Sequence, residues 1–345
     1  MRPAEATTIG PMRPFGTLII SWFETSRAIM FKGGLSLSLS NKLLLVTGFL
    51  SLVAIALGAW VCALNGIASA VWVRNLAAWL VGAVAAYALG RWFGAWLFPV
   101  VLTAAALLLV STLFSAGQLG VHRWVGAGPL SINVAMLMLP AALVAVVAIG
   151  RNTTWGWLPA LACLAILVTQ PDASQATAFG TALIWIALKS RGGNRIRRMV
   201  FGGTALLLAA GSWLRPDPLL PVPEVEEIVQ LAYAISPALA VLALASLLLF
   251  SLVPGRLSKD GSPDVQLAGG ALSVYFLICI AMPFIGAFPV PLLGVGISPV
   301  LGAWFGLGVL AALSRVRARS DRPLPHPACL ATPHTELTSA SRPHR

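Results

Sequence analysis

The sequence predicts an all-α polytopic membrane protein of about ten transmembrane helices, with both termini cytoplasmic. Composition, the lengths of the apolar runs and the sidedness of positive charge carry that prediction. Of the 345 residues, 58% are hydrophobic and only 10% are charged, against roughly 25% charged in an ordinary soluble domain. The mean hydropathy is +0.87, and a soluble single-core fold cannot hide that much apolar surface. A cytosolic enzyme, a secreted disulfide scaffold and a nucleic-acid-binding domain are excluded on these grounds. The formal charge of +12 needs no acidic partner, because cytoplasmic loops of membrane proteins accumulate Lys and Arg.

A helix needs about 20 apolar residues to cross the hydrocarbon core. Runs of suitable length fall near Leu43–Leu64, Val71–Gly90, Ala95–Phe114, Ile132–Ile149, Met199–Leu214, Ile228–Val253, Leu267–Pro283 and Gly296–Leu313. The stretch Trp155–Leu188 is too long for one crossing. Arg151 precedes it and Lys189, Arg191, Arg195, Arg197 and Arg198 follow it, so both flanks fall on the cytoplasmic side and the crossings between them are even in number. Two short helices meeting at Gln170-Pro171-Asp172 satisfy this, with the proline suited to the turn. With the N-terminus inside, only Arg74, Arg123 and Arg215 of the 23 Lys and Arg lie outside.

Residues 1–42 read as a cytoplasmic arm. Their FGTLIISWF is short of a span and a Gly/Ser-rich stretch follows. No cleavable signal peptide is evident, and Met12 and Met30 are alternative starts. Leu43 to Leu313 form the membrane domain, and residues 314–345 a basic, disordered cytoplasmic tail. The tail histidines, His326, His334 and His344, have no ligand spacing. Cys62, Cys163 and Cys279 lie in apolar runs and Cys329 lies alone in the tail. Without a CxxC, the cysteines read as small buried residues.

In such a protein the informative residues are the polar ones. Five of the eleven acidic residues, Asp172, Asp217, Glu224, Glu226 and Glu227, belong to two outer loops. Asp172 reads either as the cap of the helix beginning near Ala173 or as a functional carboxylate. The loop RPDPLLPVPEVEE at Arg215–Glu227 ends in three glutamates. They either complement the dipole of a helix opening at Ile228 or form a carboxylate cluster serving as general base or cation ligand. Arg123-Trp124 reads as an interfacial anchor or as a phosphate contact for an anionic lipid. The connection from Pro283 to Pro299 carries four prolines and no charge. It cannot be regular helix, and at membrane depth it must be buried in protein or line a cavity. Gly302 and Gly306 form a GxxxG that reads as helix packing.

Taken in order, these landmarks resemble the FtsW/RodA/SpoVE family, the SEDS proteins of bacterial division, elongation and sporulation, over roughly Leu43 to Leu313. RWVGAGPLSIN at Arg123–Asn133 looks like the family's RWI-x-LG-x-FSFQPSE. Gln170-Pro171-Asp172 with Thr177-Ala178 looks like QPDLGTA with two extra residues. Pro283–Leu301 looks like PVTGLPLPFVSYGGSSLL and keeps Gly286, Pro289, Pro291, Gly296 and Ser298. The resemblance implies a multi-pass glycosyltransferase of the bacterial inner membrane. Such a protein polymerises lipid II on the outer face beside a class B penicillin-binding protein.

The family's catalytic aspartate lies in PE-x-HTDFIF. Here PEVEEIVQLAYAI matches at Pro223 and Glu224, and one deletion brings Glu227 to the aspartate's place. The resemblance thus implies Glu227 as catalytic carboxylate, assisted by Glu226 and a divalent cation. Arg123, Trp124, Gln170, Asp172 and Glu224 would bind substrate. Three departures stand out: Met136 replaces the PSE glutamate, Asn133-Val134 replaces Gln-Pro, and GVGISP replaces SYGGSS. Three readings therefore stay open: an active polymerase, a non-catalytic relative that scaffolds an envelope enzyme, and an unrelated transporter.

Overall fold

Where no water is available, every backbone polar group must find a partner within the chain, and the apolar runs meet that demand as helices. The computed structural model describes residues 37–127, 130–150, 157–191, 194–215 and 217–320. The N-terminal arm up to residue 36, Arg151 and the tail beyond residue 320, with Cys329 and the histidines, lie outside the described residues. The helices are α1 (Leu39–Leu64), α2 (Ser69–Trp92), α3 (Leu97–Thr112), α4 (Val134–Gly150), α5 (Trp157–Thr169), α6 (Ala173–Lys189) and α7 (Arg195–Gly211). They continue as α8 (Pro223–Glu226), α9 (Ile228–Ile235), α10 (Pro237–Leu257), α11 (Pro263–Ala281) and α12 (Ile297–Ser320). A two-stranded antiparallel ribbon, β1 (Trp124–Ala127) and β2 (Leu130–Asn133), pairs Trp124 with Asn133 between α3 and α4. Among the described residues, α1, α2, α10, α11 and α12 are long and apolar enough to cross a membrane, and α3, α4 and α5 are shorter apolar helices.

Most boundaries follow local chemistry. Ser38 caps α1 by accepting from the Asn41 N–H at 3.3 Å. Asn133 caps α4 by accepting from Met136 at 3.0 Å, and Asn194 caps α7 through Ile196 at 2.8 Å. Each supplies an acceptor for an N–H that has no partner within the helix. The long run Trp155–Leu188 divides at Gln170-Pro171-Asp172, as expected. The run Ile228–Val253 does not form the single helix expected of it. It breaks at Ser236, which is extended (φ −163°, ψ 129°), and the apolar helix of crossing length begins at Pro237. Proline lacks the N–H and forces the preceding residue out of the helical region. α12 runs past Leu313 to Ser320.

Lipid tails are as apolar as leucine, so close packing through small residues holds such helices together. α12 is the central element: 78% of its most apolar window is buried, against 22% for α2. Its Trp304 fills notches at Gly48 and Gly82, where a Cβ would come within 2.7 and 2.5 Å of the indole. The Gly302/Gly306 motif packs on α4: a Cβ at Gly302 would collide with the Met136 carbonyl, and one at Gly306 would lie 2.7 Å from the Pro140 Cβ. Cys62, Cys163 and Cys279 are free and buried.

The Pro/Gly-rich connection after α11 is irregular apart from a short turn at Met282–Phe284. Its backbone is paired from outside. Asn75, in the second turn of α2 and 4% exposed, donates to the Gly294 carbonyl at 2.9 Å and accepts from the Gly296 N–H at 3.0 Å. The backbone also lies so close to α1 that a Cβ at Gly58 would collide with the Leu293 carbonyl. Replacing Asn75 with Ala orphans both loop groups and should cost about 2–4 kcal/mol in unfolding free energy. Asn65→Ala, at the exposed end of α1, should change little. Thermal or denaturant unfolding in detergent compares the two, and equal stabilities would remove the clamp from the explanation.

Candidate functional site

The connections between helices gather at two ends. One end is joined by polar contacts among the α3–α4, α5–α6, α7–α9 and α11–α12 connections. The other carries Arg91, Lys189, Arg256, Lys259, Arg315 and Arg317. There the Arg317 guanidinium pairs with Asp264 at 2.9 Å, and Arg315 donates to the Phe93 carbonyl.

At the polar end the centre is Arg123, only 6% exposed. Its Nη2 lies 2.7 Å from Asp217 Oδ2 and donates to the Pro171 carbonyl. Its Nε lies 3.7 Å from Asp172 Oδ2 and 3.4 Å from the Gln170 carbonyl. Arg123 is therefore a buried tie between three connections and not a side chain reaching for the membrane interface. Trp124 is half-buried, and its carbonyl accepts from the Ser115 hydroxyl at 2.7 Å.

The α5–α6 turn is held from both sides. The Gln170 amide donates to the Leu109 carbonyl at 3.3 Å and to the Thr112 hydroxyl. Asp172 caps α6 through the Gln175 N–H at 3.2 Å, accepts from Ser174 at 3.1 Å, and also faces Arg123. Cap and ion pair are thus one carboxylate. Gln175 carries the network on: the Tyr275 hydroxyl donates to its Oε1 at 2.5 Å, and its amide lies 3.9 Å from the Cys279 sulfur.

The glutamates lie where the proline-rich loop meets the connection before α12. Glu224 and Glu226 fall in the first turn of the short α8, not of a helix opening at Ile228. Backbone contacts hold this turn: the Val290 N–H donates to the Val225 carbonyl at 3.0 Å and the Val295 N–H to the Glu224 carbonyl at 2.8 Å. The approach requires glycine at 294, where a Cβ would collide with the Val225 carbonyl. Glu226 folds back to accept from the Val222 N–H at 2.6 Å. Burial pushes its carboxyl above the usual value, its backbone hydrogen bonds oppose this, and the charges of Asp217 and Glu224 push it further up. Glu227 is the half-buried joint between α8 and α9, its N–H bonded to the Pro223 carbonyl at 3.0 Å. Among the described residues its carboxylate has no hydrogen-bond or ion-pair partner.

No group of three or more His, Cys, Asp or Glu side chains is disposed to hold a metal ion among the described residues. The divalent cation implied by resemblance therefore has no preformed cluster of three such ligands among the described residues. Met136 is buried, and its place is used for packing against α12. Sequence reading missed Asn75 and the Asp217–Arg123 pair. Asn75 left a usable signal, a lone amide inside an apolar run. Asp217 left none, since its partner is remote in sequence.

No family profile and no curated protein matches the chain, but solved structures do. The chain is similar to a variant of the rod shape determining protein RodA of Thermus thermophilus, with a TM-score of 0.62 and 19% identity, over 79% of this chain and 97% of that one. It is also similar to a chain of a peptidoglycan synthase complex in which polymerization and crosslinking are coordinated. That match has a TM-score of 0.58 and 20% identity, over 79% and 97% of the two chains. The protein has a RodA-like fold.

The raised Glu226 carboxyl yields a pH test. The folded state binds this proton more tightly than the unfolded chain, so its contribution to stability is lost as pH rises from 4.5 through the raised value. Glu226→Gln keeps an acceptor for Val222 and does not titrate, so it should flatten the fall in Tm over that range. Identical pH profiles for the two proteins would contradict the assignment.

Proposed function

We propose that the protein is a multi-pass SEDS-type glycosyltransferase of the bacterial inner membrane that polymerises lipid II, with Glu227 as general base. The observation carrying this reading is a half-buried carboxylate, without a partner among the described residues, at the α8–α9 joint of a RodA-like fold. Glu227 takes the proton from the attacking sugar 4-hydroxyl as the new C1–O bond forms. The bond from C1 to the lipid pyrophosphate breaks, and the pyrophosphate leaves with its electron pair. Arg123 and Asp172 act here as positioning residues that hold the loops. Trp124 and Glu224 frame the substrate side, and Gln170 holds the α5–α6 turn beside them. Ten crossings with both termini cytoplasmic put this end outside, in keeping with the basic residues gathered at the other. A class B penicillin-binding protein is the proposed partner, since a chain of similar fold occurs in a peptidoglycan synthase complex.

A second reading, a non-catalytic scaffold for such an enzyme, is favoured by one observation. Arg123, Gln170 and Asp172 are already committed to protein partners. Lipid II polymerisation in nanodiscs, with and without a class B penicillin-binding protein, separates the two. Glu227→Gln should slow glycan formation by about 10²–10⁴-fold, while Glu226→Gln should retain most of it. Undiminished glycan from Glu227→Gln would overturn the base assignment. Folded protein that forms no glycan in any pairing would favour the scaffold.

A further inference from the structure

A groove of about 820 Å³ lies at the basic end, between the close of α6, the close of α10 and the start of α11. Four cations line it from two segments: Lys189 and Arg191 at and just after the end of α6, and Arg256 and Lys259 at and just after the end of α10. All four are exposed. Below them the wall is apolar, formed by Leu252, Val274 and Leu277. Asp264 also lines the groove, but its carboxylate is paired with Arg317 at 2.9 Å and does not cancel the basic rim. Trp185 closes the inner side. Its indole lies against Gly270, where a Cβ would come within 2.8 Å of Nε1, and that buried Nε1 has no hydrogen-bond partner among the described residues.

Cytoplasmic connections carry Lys and Arg as a rule, so basic residues at this end are not by themselves a site. Here, however, they converge on a recess whose apolar wall continues along the bundle, and a spare buried donor lies in that wall. This layering, cations above hydrocarbon, complements an amphiphile with an anionic head. We propose that the groove binds an anionic phospholipid of the cytoplasmic leaflet. Its phosphate sits among Lys189, Arg191, Arg256 and Lys259, and an acyl chain lies along Leu252, Val274 and Leu277. The proposal rests on the orientation given above, which places this end in the cytoplasm, and is independent of the glycosyltransferase reading.

The test uses the full chain, purified and delipidated in mild detergent, with lipid retention read by native mass spectrometry. Neither polymerase activity nor orientation enters that readout. Phosphatidylglycerol should be retained about tenfold better than phosphatidylcholine of the same acyl chains. The preference should disappear in Arg256→Gln/Lys259→Gln. Val274→Trp fills the wall without changing charge and should weaken retention of phosphatidylglycerol as well. It decides the matter if the double variant fails to fold. Equal retention of the two lipids, or an unchanged preference in a folded variant, would overturn the site. Displacement of phosphatidylglycerol by inorganic phosphate alone would make it a free-anion site and overturn the lipid assignment.

Discussion

A single guanidinium, buried among the connections between helices, is the constraint on which the polar end of the protein depends. Arg123 cannot be desolvated alone, because an uncompensated buried charge costs several kcal/mol. It is compensated by Asp172, Asp217 and two main-chain carbonyls. Those partners belong to the α5–α6 turn and the α7–α8 connection, so meeting the electrostatic demand of one side chain fixes three loops. Asp172 passes the constraint inward, since the same carboxylate caps α6 and leads through Gln175 to Tyr275 on α11.

The candidate carboxylates lie one step from this tie. Burial raises the Glu226 carboxyl, and the charge of Asp217, which holds Arg123, adds a smaller push in the same direction. The other support of α8 is the irregular backbone before α12, which is fixed in turn by Asn75. Neither support uses the Glu227 side chain. A residue whose backbone is held on both sides while its carboxylate stays unengaged is suited to meet a ligand with little reorganisation. At the opposite end the chemistry is reversed: cations gather over apolar walls and Asp264 is turned to Arg317.

Much of the architecture was legible because bilayer physics leaves few alternatives. Apolar length, proline position and charge sidedness located the helices, the turn at Pro171 and the irregular stretch from Pro283. Local rules misjudged Ile228–Val253, where hydropathy hid the break imposed by Pro237, and Glu224 and Glu226, whose helical turn is α8, while Glu227 does stand at the N-cap of the helix opening at Ile228. The site was legible as a list of residue types but not as a set of partners. Arg123 looked like an interfacial residue because only the fold brings Asp172 and Asp217 to it. Asn75 went unremarked because the backbone it pairs is more than two hundred residues away. Long-range partnership is the quantity that local pattern does not carry.

The most direct measurement is a double-mutant cycle on Arg123 and Asp217 by equilibrium unfolding of the purified full chain in detergent. If Arg123 is the buried tie, Arg123→Ala should cost about 3–5 kcal/mol. The loss should fall well short of additivity when Asp217→Asn is added. Independent effects of less than about 1 kcal/mol each, as for an exposed pair, would contradict the central place given to Arg123.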